Sequence, residues 1–226
     1  MITIPNELFE FLEELKENNN REWFADNKKR FKDLEKKVKL FNEEVLANLK
    51  THDEVDSLKM FRIYRDVRFS KNKAPYKINL GCSFHRIKPR LRGGYYVHLE
   101  PNNSFLACGF WAPEKDDLMR IRKELEMDAE EFKEVINLDE IKNVWGAIEG
   151  EELKTAPKGF DKTHADIALI RKKQYVFTKK LTNKEVVSNN FLHLVSDSFK
   201  AIRPFFDLMS DILTTDLNGE SILSDS

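Results

Sequence analysis

KINLGCSFHRIKPRLRGGYYVHLEPNNSFLACGFW, residues 77 to 111, decides the fold. Three runs in it are rich in β-branched, aromatic and small apolar residues: Lys77 to Ile87, Tyr95 to Glu100 and Ser104 to Trp111. Such runs favour strands. Gly93-Gly94 and Pro101-Asn102-Asn103 separate the later ones. Connections that short join antiparallel neighbours, because a parallel crossover needs a dozen or more residues. The strand pattern begins at Leu58, and a further strand is expected at Lys59 to Phe69.

On the N-terminal side the period changes to that of a helix. Pro5 suits a first turn, and Leu8, Phe9, Phe11, Leu12 and Leu15 recur on one face. Asn18-Asn19-Asn20 stops this helix, and Asn20 can cap a longer one through Phe24, Phe31, Leu34, Val38, Phe41, Val45 and Leu49. The two are expected to form a hairpin. After Pro113-Glu114 the helical period returns through Leu118, Ile121, Leu125, Phe132, Ile141 and Trp145. A loop at 156–160, a short helix at 166–171, a strand at Gln174 to Thr178 and a helical region after Thr182 follow. Pro204 either kinks the last helix or starts a new one. The pattern predicts an α+β fold: a central, mainly antiparallel sheet flanked by an N-terminal helical hairpin and C-terminal helices. It is read as one domain over residues 1–226, with a frayed tail near 218–226.

Composition narrows the function classes. The 226 residues include 38 Lys or Arg against 39 Asp or Glu, so any nucleic-acid binding must be local and is not favoured. The acidic N-terminus does not read as a secretory signal, and no segment reaches membrane-spanning length. A cytoplasmic chain is expected. Cys82 and Cys108 lie in strand-like apolar contexts and read as buried hydrophobes. No local metal-ligand spacing, Walker A pattern or dinucleotide glycine fingerprint occurs, so no metal and no cofactor is expected. Oligomeric state is open.

The chemistry concentrates in residues 61–77. If Phe61 to Phe69 is a strand, Arg65 shares an apolar row with Phe61, Ile63, Val67 and Phe69. A buried Arg65 then needs a carboxylate or several carbonyl acceptors, and a structural ion pair is the plain reading. Arg62, Tyr64, Asp66, Arg68 and Ser70 face the other way, with Asp66 placed to orient Arg68. Arg62, Arg68, Ser70, Lys71, Lys73, Tyr76 and Lys77 therefore form a candidate set for a small phosphorylated or carboxylated ligand. Two other readings stand beside it. Asp66 with His85 or His98, assisted by Glu100, would support acid/base catalysis if the fold brings them together. Alternatively the signature is an ion-pair network in a structural or protein-interaction domain. A second basic and aromatic stretch, Pro157 to Phe160 and Arg171 to Tyr175, either extends the anion surface or merely anchors the core.

The run RDVRFSKNKAPYK, residues 65–77, resembles the signature of a bacterial and fungal family, domain of unknown function twenty-four sixty-one. FLEELKENNNREWF at 11–24, GGYYVHLEP at 93–101, CGFWAPE at 108–114, LMRIRKEL at 118–125, LKTAPKGFDKTHADIALIRKKQY at 153–175 and AIRPFF at 201–206 are similar to the family's other landmarks. Asn72 and Ala74 stand where members often carry Asp and Thr, which argues against a mechanism needing a carboxylate or hydroxyl there. The resemblance covers nearly the whole chain and implies a single family domain. It carries no activity or catalytic set to transfer.

Overall fold

The fold was read from a computed structural model that describes residues 2–223. The first helix, α1 (Glu7–Glu17), buries Leu8, Phe9, Phe11, Leu12 and Leu15. It stops at Asn18, whose backbone N–H closes on Glu14. Asn20 caps α2 (Arg21–Leu49) by accepting from the Trp23 N–H at 2.9 Å. Phe11 packs on Trp23 and Phe31, and Arg30 donates back to Glu7 and Glu14, so the two helices close as the expected hairpin.

The sheet contains β1 (Val55–Met60), β2 (Leu80–Arg86), β3 (Gly94–Leu99), β4 (Ser104–Phe110) and β5 (Tyr175–Leu181). Their order is β1-β2-β3-β4-β5, and every neighbouring pair is antiparallel. Gly109 has φ +114°, and an added Cβ would lie 2.3 Å from the Tyr175 carbonyl, so only glycine lets β5 approach there.

One expectation fails here. The first strand ends at Met60 and does not run over Lys59 to Phe69. From Phe61 the ladder loosens to a single bridge between Tyr64 and Tyr76, with Arg65 N–H on Pro75 O at 2.9 Å and Lys77 N–H on Ile63 O at 2.7 Å. Pro75 accepts but has no N–H to return, which breaks a regular ladder. The supposed apolar row dissolves with it: Ile63 is buried, but Phe69 is 97% exposed.

Between β4 and β5 run α3 (Lys115–Met127), α4 (Glu130–Ile136), α5 (Asp139–Trp145) and α6 (Ile167–Ile170). After β5, Thr182 and Glu185 form a reciprocal cap on α7 (Asn183–Val186). Then come α8 (Phe191–Ala201) and α9 (Arg203–Thr214), and Pro204 sits in the first turn of α9, starting a new helix. Residues 215–222 fold back in a turn, with Ile222 N–H on Thr214 O at 2.9 Å. The rest of the tail, 224–226, lies outside the described residues.

One face of the sheet holds the core. Phe84 and Tyr95 meet Phe199 of α8, while Tyr95, Phe110 and Phe177 meet Phe205 or Phe206 of α9. The other face carries Ser83, His85, Tyr96, His98 and Phe105, and its ring contacts are with one another and with Phe61. Cys82 and Cys108 are both buried, and burial pushes the Cys82 thiol up to about 12. No helix among the described residues is long and apolar enough to cross a membrane.

Candidate functional site

The signature 61–77 leaves the sheet as an irregular hairpin anchored on α2. Tyr76 is buried, its ring stacked on Phe24 at 4.0 Å and tilted against Tyr64 at 5.4 Å. Asn19 clamps its backbone from both sides, accepting from the Tyr76 N–H and donating to its carbonyl, each at 3.1 Å. Tyr76 therefore pins the hairpin to the core and offers no face to a ligand from the loop. Sequence reasoning placed it in the ligand set because a Tyr beside lysines reads the same whether its ring turns outward or inward.

For Arg65 the carbonyl alternative holds and the ion pair does not. It has no ion pair among the described residues; its guanidinium donates to Ala74 O at 3.2 Å and Ser70 Oγ at 3.4 Å across the loop. It is half-buried, so carbonyl and hydroxyl acceptors suffice where a sealed position would demand a carboxylate. Asp66 and Arg68 form an exposed fork, with Nη2 at 2.6 Å and Nε at 3.0 Å from the carboxylate. Arg68 holds the Asp66 carboxyl below its usual value. Lys73 Nζ reaches Val67 O at 3.1 Å, and Asn72 accepts from the Ala74 N–H at 2.9 Å. Arg62 and Lys71 project into solvent, and Lys77 lies 5.6 Å from the centre of the Phe61 ring.

The charge of this region is one-sided. Residues 57–99 carry eleven Lys or Arg and one acid, Asp66. At the far end of the β2–β3 hairpin the cations are neutralised from elsewhere in the chain. Arg86 pairs with Asp53, Lys88 with Glu114, Arg90 with Glu54 and Arg92 with Asp117. At the signature end, Lys59, Arg62, Lys71, Lys73 and Lys77 have no ion pair among the described residues, and Arg68 alone is matched. In the later basic stretch Arg171 and Lys173 are paired, with Glu152 and Glu151, while Lys158 and Lys172 have no ion pair among the described residues; Tyr175 and Phe177 beside it are core residues.

The histidines share the open sheet face, and among the described residues neither forms a hydrogen bond or ion pair with Asp66. Register sets His85 opposite Gly94 and His98 opposite Gly81, with the Ser83–Tyr96 pair between. His85 Nε2 is 2.9 Å from Ser83 Oγ. His98 has both nitrogens engaged, by the Tyr96 hydroxyl at 3.1 Å and Glu100 at 2.9 Å, and its ring stacks on Phe105 at 4.5 Å. Asp66 stays with Arg68 in the loop. Among the described residues no group of three or more His, Cys, Asp or Glu is placed to hold a metal ion.

A family model described as conserved hypothetical protein, DUF2461, matches residues 7–208. The chain belongs to this family. No curated protein and no solved structure matches it.

This DUF2461 chain also holds a polar centre that the sequence reading missed. Asp53, after α2, accepts from Arg86 Nε at 2.8 Å and from the Tyr95 hydroxyl at 2.5 Å. Arg203 Nη1 lies 2.6 Å from its other oxygen without the alignment of a hydrogen bond. Burial alone would raise the Asp53 carboxyl; the Tyr95 hydroxyl, Arg86 and Arg203 outweigh it and hold the group below its ordinary value. The signal was legible in one respect: Arg86 ends the inward row Leu80, Cys82, Phe84, the same anomaly that drew attention to Arg65.

Beside this centre a cleft of about 710 Å³ is lined by His52, Asp53, Arg203, Asp207 and Ser210, among others. Both His52 ring nitrogens are sealed from solvent and have no hydrogen-bond partner among the described residues. Burial lowers the His52 pKa, Arg203 and Lys200 add to that, and Asp53 opposes it. The folded state therefore favours the neutral ring, whereas the unfolded chain protonates near the ordinary value of about 6.5. Stability should fall as pH drops below about 6.5, because the unfolded state then binds the extra proton. Melting temperatures at several pH values between 7.5 and 5 (roughly this titration window) check this. The fall should be shallower in His52→Leu, and parallel profiles would assign the loss to other groups.

Proposed function

We propose that this DUF2461 chain binds a phosphorylated or carboxylated ligand through Arg62, Lys71, Lys73 and Lys77, with Ser70 at the edge of the same loop. The carrying observation is the contrast in charge compensation. Arginines and lysines at one end of the β2–β3 hairpin each meet a carboxylate, whereas among the described residues those of the signature meet none except through Arg68. Clustered cations repel one another, and an anion relieves that repulsion while gaining charge-assisted hydrogen bonds. The loop supports the reading in a second way. Arg65, the Asp66–Arg68 fork and Asn72 brace it internally, so little ordering is needed on binding. Arg68 and Tyr76 leave the set of direct contacts, one neutralised and the other buried.

Calorimetric titration with inorganic pyrophosphate at low salt tests this. The triple variant Arg62→Ala, Lys71→Ala, Lys73→Ala should lose roughly tenfold or more in affinity with an unchanged melting temperature, since charge-assisted contacts are worth about 1.5–3 kcal/mol each. Added salt should weaken the wild-type binding. Equal affinity in the triple variant would end the proposal.

A further inference from the structure

The open face of the sheet adjoins the signature, and Phe61 joins the two. The Phe61 N–H donates to Gly81 O at 2.9 Å, continuing the β1–β2 pairing, and its ring meets Tyr96 edge-on at 6.1 Å. Tyr96 then meets Phe105 at 5.8 Å. The glycine at position 81 makes room for this floor: a Cβ there would fall 2.2 Å from the Tyr96 hydroxyl, so the Tyr96 ring lies across β2. Core aromatics pack against helices, while Phe61, Tyr96, His98 and Phe105 meet one another.

Cations frame these rings. Lys59 and Lys77 lie 5.7 and 5.6 Å from the Phe61 ring centre at the β1 side. Lys180 on β5 stands exposed, in register with Phe105. From β2 to β5 no strand residue on this face is acidic, and Glu100, just past β3, is held by His98 and Asn103. Four interstrand spacings separate Lys59 from Lys180, about 19 Å. One phosphate cannot answer both margins; a chain of phosphates can. Aromatic floors flanked by such cations bind unpaired bases by stacking, and paired bases cannot reach the rings.

We propose that the occupant is a single-stranded nucleic acid, its bases stacked on Phe61, Tyr96 and Phe105 and its phosphates on Lys59, Lys77 and Lys180. This rests on the anion reading above and names the class of that anion, with the signature loop holding the phosphates that continue past Phe61.

Fluorescence anisotropy with labelled oligouridylate and oligothymidylate of about twelve nucleotides, within the usual site size, is the test. Either strand should bind with a logarithmic salt slope of about −2 to −3, from three or four phosphate contacts at about 0.7 each. Phe61→Ala and Phe105→Ala should each weaken binding by about tenfold, and a duplex of the same sequence should compete poorly. Phe105→Leu, which keeps apolar bulk but not the stack, should show the same loss and serves if the alanine variant folds badly. Pyrophosphate binding with no oligonucleotide binding would overturn the platform and leave the anion site standing. Oligonucleotide binding indifferent to Phe61 and Phe105, or displaced equally well by polyglutamate, would overturn the platform as well. Strand binding that needs Phe105 but survives loss of Arg62, Lys71 and Lys73, in a protein that ignores pyrophosphate, would retain the platform and remove the loop from it.

Discussion

Asp53→Ala is expected to lower folding stability by about 3–5 kcal/mol, the range for stranding a buried charge. Asp53 is the carboxylate on Arg86, and their side chains are 1% and 0% exposed. Without it Arg86 keeps only neutral acceptors, Arg92 O and Ser210 Oγ at 3.2 Å each, and the Phe206 ring at 4.6 Å. Its Nη2 already has no hydrogen-bond partner among the described residues, so the loss adds to an existing deficit. The Tyr95 hydroxyl loses its acceptor in the same step. Arg203→Ala should cost much less, because Arg203 is 20% exposed and its removal leaves Asp53 with Arg86 and Tyr95. Urea unfolding of the two variants checks the order. Equal losses would mean that Asp53 owes its placement to Arg203 and that the pairing with Arg86 is secondary.

Tyr76→Ala should cost about 3 kcal/mol or more, as expected for a large aromatic cut from a packed site. The variant removes the ring between Phe24 and Tyr64 and frees the hairpin that Asn19 holds. Lys71→Ala and Lys73→Ala, five and three residues upstream, should each stay within about 0.5 kcal/mol of wild type, since both are exposed. Thermal denaturation separates the two roles that one short motif combines: its aromatics fasten it and its lysines face solvent. A destabilisation by Lys73→Ala as large as that of Tyr76→Ala would make the Lys73 contacts to Val67 O and Arg68 O structural.

Much of the architecture was legible because its signals are local. Asn20 caps α2, glycines and Pro101-Asn102-Asn103 mark the turns around β3, and Pro204 opens α9, each through a conformational preference of the residue itself. The segment 61–69 misled because alternation records side-chain chemistry, whereas a strand also needs a partner able to return its hydrogen bonds. Pro75 opposite Arg65 cannot. The cations were identified from composition, but which of them lack a counter-charge depends on Asp53, Glu54, Glu114 and Asp117, which the fold brings to the other end of the hairpin. The Asp53 centre draws on residues 53, 86, 95 and 203, and no single window of sequence contains it. The aromatic floor was hidden differently: of its members the sequence singled out only His98, and the face it shares with Tyr96 and Phe105 is fixed by the register of β3 on β4.

The two margins of the sheet differ in how they end. Beyond β5, Glu149 and Glu152 bridge back to Val176 and Lys172, so part of that border is already occupied by the chain's own backbone. At β1 the pairing shifts between Val55 and Ser57, and the strand carries Asp56 and Lys59. An irregular step at an outer strand spoils the even row of donors and acceptors that another molecule's strand would need, and charges on it resist desolvation. A protein with a broad uncovered sheet thereby discourages growth into fibrillar stacks along its edges, while leaving the flat surface between them accessible.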